Sequence, residues 1–124
     1  MKNKFFLVFL GGGLGALLRY LISAVLEIFI GSTFAGSLSL YIVNITGAIF
    51  LGVTTAFKSE AKKIFWGAGF AGGFTTMSGV AIFLYTQTPA TAIPGAAIMF
   101  GLGFIGYAAG ANLARAIGGK HERI

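Results

Sequence analysis

The sequence predicts an all-α membrane protein of four spanning helices, and three observations lead there. Its 124 residues are 56% hydrophobic and 10% charged, with a mean hydropathy of +0.89. A water-soluble domain of this size needs far more charge to coat its surface. Four largely apolar runs, at 5–30, 36–57, 64–86 and 90–117, are each long enough for ~30 Å of hydrocarbon, which takes about 20 helical residues. The connections at 31–35, 58–63 and 87–89 are short, so 1–124 reads as one four-helix transmembrane domain.

The first span, 5–30, follows Met1-Lys2-Asn3-Lys4 and imitates a signal peptide. Its apolar run is too long for one and three more spans follow, so a retained helix is expected. Gly11, Gly12, Gly13 and Gly15 allow close backbone approach by a neighbour. Arg19 lies deep in this span, where an arginine costs several kcal/mol unless it snorkels or is paired. It reads equally as a structural hydrogen-bonding anchor or as a positive field that draws anions into a vestibule. Glu27, towards the end of the same helix, is expected to be wet.

In the second span, 36–57, Asn44 brings two donors and an acceptor between Val43 and Ile45. It is either bonded to a neighbouring helix or turned towards a pore. Thr46 is expected to bond its own backbone, and Gly47 and Gly52 to form packing surfaces.

The third span, 64–86, contains Gly69-Phe70-Ala71-Gly72-Gly73-Phe74-Thr75-Thr76-Met77-Ser78-Gly79-Val80. Glycines cost backbone entropy and the hydroxyls compete for backbone hydrogen bonds, so the helix is expected to break in its middle. Broken backbone at membrane depth survives only where it is buried in protein or lines a polar path. This run therefore points to an ion site.

In the fourth span, 90–117, Pro89 and Pro94 are expected at the helix start, where a missing N–H is harmless. Gly101, Gly103, Gly106 and Gly110 supply further packing surface, and Thr91, Tyr107 and Asn112 are the polar candidates. Of the thirteen phenylalanines most are expected to be lipid-facing or core bulk, while Trp66 and Tyr20 read as interface-belt residues.

Charge placement sets the expected orientation. Lys2 and Lys4, then Lys58, Lys62 and Lys63, then Arg115, Lys120 and Arg123 all fall on one side of a four-span chain, and the opposite loops carry no Lys or Arg. The positive-inside rule then makes both termini cytoplasmic, in a multi-pass protein of the cell membrane. The net charge of +6 is explained by these anchors rather than by nucleic-acid binding, because the aromatics lie within the spans. With no cysteine, one histidine and three acidic residues, the chain offers neither a thiolate metal site nor acid–base chemistry, and no enzyme is expected.

Three patterns, in this order, resemble the small bacterial fluoride channels of the Fluc or CrcB type. They are Gly12-Gly13-Leu14-Gly15-Ala16-Leu17-Leu18-Arg19-Tyr20, Val43-Asn44-Ile45-Thr46-Gly47 continuing to Gly52, and Gly69-Phe70-Ala71-Gly72-Gly73-Phe74-Thr75-Thr76. The resemblance covers nearly the whole chain. It implies an antiparallel dual-subunit bundle with two narrow fluoride paths near the subunit interface. It implies a structural Na⁺ held by backbone carbonyls at the break, with Gly72 and Thr75 as the matching positions, and it matches Asn44 and Arg19 to the family's pore-lining asparagine and span-one arginine. The fluoride path would then run by Asn44, Thr76, Met77, Ser78 and Val80, with Asn44, Ser78 and Thr76 as donors. The chain also departs from the family. After the threonines the family continues Phe-Ser-Thr-Phe, whereas here the residues are Met77-Ser78-Gly79-Val80. Ser39-Leu40-Tyr41 replaces the usual Gly-Thr-Leu, and no row of hydroxyls marks span four.

The implied function is a subunit of a fluoride-selective channel that lets fluoride leave the cytoplasm passively. An antiparallel homodimer needs a chain that inserts both ways, yet all the terminal and loop positives here lie on one side. The expected partner is therefore a homologous chain of opposite orientation. Two alternatives stand beside this reading. One is a non-conducting structural subunit of such a channel. The other is a small multidrug exporter, which needs an acid in mid-span one, where residues 10–18 have none.

Overall fold

The computed structural model describes residues 2–122, with side chains from 3 to 118. Four helical spans account for almost all of it, and no strand occurs among the described residues. Helix α1 runs Lys2–Ile30 without interruption, through its glycine run. Each glycine weakens a helix by about 1 kcal/mol relative to alanine. In lipid, however, every backbone group must be bonded within the segment, and that requirement wins.

A single residue, Gly31, joins α1 to α2, Ser32–Thr54. Its φ of 81° lies in the left-handed region that side chains disfavour. The connection expected at 31–35 is thus one glycine, and Ser32 and Thr33 already belong to α2. Ser23 and Ser39, placed symmetrically about Gly31, share a 2.6 Å hydrogen bond that fixes α1 and α2 as an antiparallel hairpin.

The α2 helix ends at Thr54, three residues before the expected 57, where the Thr54 and Thr55 hydroxyls donate to the carbonyls of Leu51 and Gly52 at 2.6 and 2.7 Å. Ser59 then caps the third span, its hydroxyl accepting from the Lys62 N–H. Helix α3 covers 60–74 in three parts: an α-turn Glu60–Lys63, a π-helical stretch Ile64–Ala71, and an α-turn Gly72–Phe74. After Thr75 and Thr76 the chain re-enters a helix, α4, Met77–Thr86. Helix α5 runs Pro89–Glu122.

Pro89 opens α5 as expected. Pro94 does not flank the helix but lies inside it, where it forfeits a bond to the Ala90 carbonyl.

The π-helical stretch lies against the glycine face of α1, and α3 with α1 forms one of the two most extensive contacts of the fold. At Gly15 a Cβ would collide with the Phe70 carbonyl oxygen. The other large contact joins α2 to α5, where a Cβ at Gly110 would collide with the Ile49 carbonyl. Behind α3, Trp66 packs edge-on against Phe50, Phe65 and Phe70, and Phe70 stacks on Phe74 with centroids 5.7 Å apart. Trp66 is therefore part of an aromatic series along α3, not only a marker of the interface.

A compact core of Leu40, Val80, Phe83 and Met99, with Tyr41 against it, ties α2, α4 and α5 together. Most large apolar side chains elsewhere face outward, as a lipid-exposed surface requires. Four spans put the 2–4 segment, the 55–59 connection and the end of α5 at one end of the bundle. Lys63 pairs there with Glu60 at 3.8 Å. The side chains of Lys2, Lys120 and Arg123, counted with this group in the sequence, lie outside the described residues.

Candidate functional site

The third span breaks where the sequence places its threonines. Thr75 and Thr76 are extended, with φ/ψ of −80°/161° and −145°/115°, between the end of α3 and the start of α4. The Thr75 N–H still bonds the Ala71 carbonyl at 3.0 Å. Continuing the helix would send the Thr76 N–H to the Gly72 carbonyl. It donates instead to Oδ1 of Asn44 on α2, at 2.8 Å. Asn44 Nδ2 returns a bond to the Thr76 carbonyl at 3.2 Å and reaches Met99 Sδ at 3.4 Å. One asparagine side chain thus replaces the acceptor that the break takes from the Thr76 N–H and adds a bond to the carbonyl of the same residue. Of the two sequence readings of Asn44, its bonds lead to a neighbouring segment, and they do so at the break itself.

Thr76 also restarts the helix. Its hydroxyl accepts from the Gly79 N–H at 3.0 Å, an N-cap worth about 1 kcal/mol, and lies 3.1 Å from the Ser78 hydroxyl. Thr75 turns the other way, its hydroxyl donating to the Ala71 carbonyl at 2.9 Å. Gly47 lets this segment approach α2, since a Cβ there would collide with Thr75 Cγ2. Thr46 bonds the Ile42 carbonyl of its own helix.

Two concavities meet at the break. A cleft of about 530 Å³ has the polar side chains of Arg19, Ser23, Thr33, Ser37, Ser78 and Gln87 on its border beside apolar Leu40, Val43, Ile82 and Phe83. An apolar groove of about 410 Å³ runs along α2 and α5, bordered by Asn44, Met77, Met99, Phe100, Phe104 and Tyr107. Thr76 is the residue common to both. The cleft carries a single cation, half-buried Arg19, whose guanidinium has no ion pair or hydrogen bond among the described residues. Glu27 is exposed, as expected for a wet position.

The remaining sequence candidates fall unevenly around this neck. Met77 is 67% exposed and projects at the groove's rim, whereas Val80 is 2% exposed and packed with Leu40, Phe83 and Met99. Gly72 is exposed with open space at its Cβ position, and Thr75 is half-buried. Because Thr76 turns to Asn44, the Gly72 carbonyl loses its helical donor, which leaves a hard oxygen at the break of the kind that suits an alkali cation. No cluster of three His, Cys, Asp or Glu side chains occurs among the described residues, so carbonyls are the ligands on offer.

Three contributors escape the sequence reading. Met99 gives Asn44 its sulfur contact, Tyr41 bonds the Gly95 carbonyl at 2.7 Å, and Ser23–Ser39 closes the cleft wall. Only the last left a signal, the symmetric spacing about Gly31. Uncharged donors and carbonyls beside Thr76, with Arg19 on the border of the adjoining cleft, can replace the water of a small ion without trapping it by opposite charge.

A family model described as CrcB-like protein, Camphor Resistance (CrcB), matches residues 6–114. The chain belongs to the CrcB-like family. It is similar to a fluoride-specific ion channel FluC of Azobacteroides pseudotrichonymphae, 38% identical over 63% of this chain and 66% of that protein. It is also similar to a fluoride-specific ion channel FluC 2 of Corynebacterium jeikeium, 30% identical over 88% of this chain and 78% of the relative. A FluC 2 of Nocardia farcinica is 36% identical over 88% and 74%. The chain spans about two thirds of the length of the first of these relatives. A CrcB-like match that takes in α1 to most of α5 decides against the small multidrug exporter and makes this a multi-pass membrane protein.

Proposed function

We propose that the chain is a subunit of a fluoride-selective channel through which fluoride leaves the cytoplasm down its gradient. The observation that carries this reading is the neck at Thr76, where the Arg19 cleft meets the apolar groove beside the Asn44-held break. The names of the relatives support fluoride as the permeant. Arg19 raises the local anion concentration in the cleft. At the neck fluoride sheds water and takes hydrogen bonds from the Thr76 and Ser78 hydroxyls, which are hydrogen-bonded to each other, and from Asn44. The Gly72 and Thr75 carbonyls would hold a structural Na⁺, whose charge would steady the helix ends at the break.

The groove on α2 and α5 is the face on which the second subunit of an antiparallel dimer would sit. Eight positive charges at one end of the chain, with none in the opposite loops, favour a single orientation with both termini cytoplasmic. The partner is then a homologous chain inserted the other way. Exposed Met77 and buried Val80 offer no ring edge to an anion, so that partner would supply the aromatic side chains of the working path.

The same observation favours a second reading, in which this subunit's own path is silent and it serves as scaffold for its partner's. Fluoride efflux from liposomes containing this chain alone, then this chain with a candidate partner, separates the readings, with reporters on both termini giving orientation. Efflux only from the mixed vesicles is expected. Efflux from the chain alone, or mixed orientation, would overturn the obligate partner. No fluoride efflux in any combination would overturn the channel.

A further inference from the structure

We propose that Met99 sets how many hydrogen-bond donors Asn44 offers to an ion at the neck; its bearing on fluoride rests on the channel reading above. A primary amide has two N–H donors and one carbonyl acceptor. In Asn44 all three are used within the chain: Oδ1 by the Thr76 N–H, one N–H by the Thr76 carbonyl, and the other by Met99 Sδ. The first two bonds form a reciprocal clamp and cannot be given up without loosening the break. The third is different in kind. A thioether is a weak acceptor, and an ion that accepts hydrogen bonds strongly displaces it at low cost.

Met99 is held for this role. It is 3% exposed, locked among Leu40, Val80 and Phe83, so its sulfur stays beside Asn44. Both residues border the groove, which places the Nδ2–sulfur contact where an ion leaving Thr76 would pass. Fluoride, small and strongly accepting, takes the N–H from sulfur; a larger and softer halide competes poorly for it. Met99 is thus a positioning residue that acts through Asn44. It keeps the donor satisfied when no ion is present and discriminates by how hard the incoming anion pulls.

The test is the side-chain amide signal of Asn44 in the full chain, ¹⁵N-labelled in lipid nanodiscs, with Met99→Leu and Met99→Gln beside the parent. Leucine conserves volume but offers no acceptor, and glutamine restores one through its carbonyl. Without fluoride, one Asn44 amide proton is expected to shift in Met99→Leu and to stay near the parent position in Met99→Gln. On adding sodium fluoride, Met99→Leu is expected to respond at roughly twofold lower concentration, the equivalent of a hydrogen bond at the weak end of the neutral range. An unmoved amide in Met99→Leu, or leucine and glutamine variants that move together, would overturn the proposal. If no sample conducts fluoride in liposomes, either alone or with the candidate partner, while the leucine-specific shift persists, the channel reading falls and the Met99–Asn44 coupling stands.

Discussion

Replacing Asn44 with alanine is expected to loosen the break before it changes anything else. The side chain bonds the Thr76 N–H at 2.8 Å and the Thr76 carbonyl at 3.2 Å. Alanine leaves that N–H, which has already lost the Gly72 carbonyl, with no partner inside the bundle. A buried donor without a partner costs about 1–3 kcal/mol, and the bond to the carbonyl adds about 1 kcal/mol. Thr76 is half-buried, so water recovers part of this, and a net loss of about 2 kcal/mol is the working figure. Hydrogen exchange at the Thr76 amide reads it directly, because ~2 kcal/mol corresponds to roughly thirtyfold faster local opening. Unfolding in mixed micelles should show a loss of similar size. If Asn44→Ala left Thr76 exchange and stability unchanged while abolishing fluoride efflux, Asn44 would be acting on the ion alone, and the clamp would be refuted.

Met77→Phe is expected to be tolerated, since the site is 67% exposed, whereas Val80→Phe overpacks the Leu40–Phe83–Met99 core by about 1–3 kcal/mol; relative folded yield and thermal midpoints of the two variants check this. Thr76→Val removes the cap on Gly79 and should cost about 1 kcal/mol, read as faster exchange at the start of α4. Arg19→Gln should reduce fluoride efflux more at low than at high ionic strength, because the cleft cation acts through a screened field; an equal loss at both would mean that Arg19 is structural. Gly15→Val drives a side chain into the Phe70 carbonyl and should abolish stable insertion of α3 against α1, measured as protease sensitivity in membranes, while Gly13→Val, at a position open to the outside, should not.

How much of this was legible follows the range of the forces involved. The four spans were readable because hydrocarbon thickness demands long apolar runs, and the break because glycine and threonine weaken a helix locally. Boundaries were less so. The α1–α2 turn shrinks to Gly31 since one left-handed residue suffices to reverse the chain when Ser23 and Ser39 bond across it. Pro94, expected at the helix start, lies more than a turn inside α5, because that helix already begins at Pro89.

The sequence alone determined that the chain crosses a membrane four times, that its third span cannot stay whole, and that its charges gather at one end. These are properties of composition and of neighbours in the chain, and they hold for any packing of the helices. The tertiary structure decided what holds the break open and what borders it. Asn44 and Thr76 are joined across helices, Met99 reaches them from a third, and Arg19 stands alone in a cleft whose walls come from separate spans. Hydrogen bonds act only at about 3 Å, and no spacing along a chain reveals which distant residues will be brought that close.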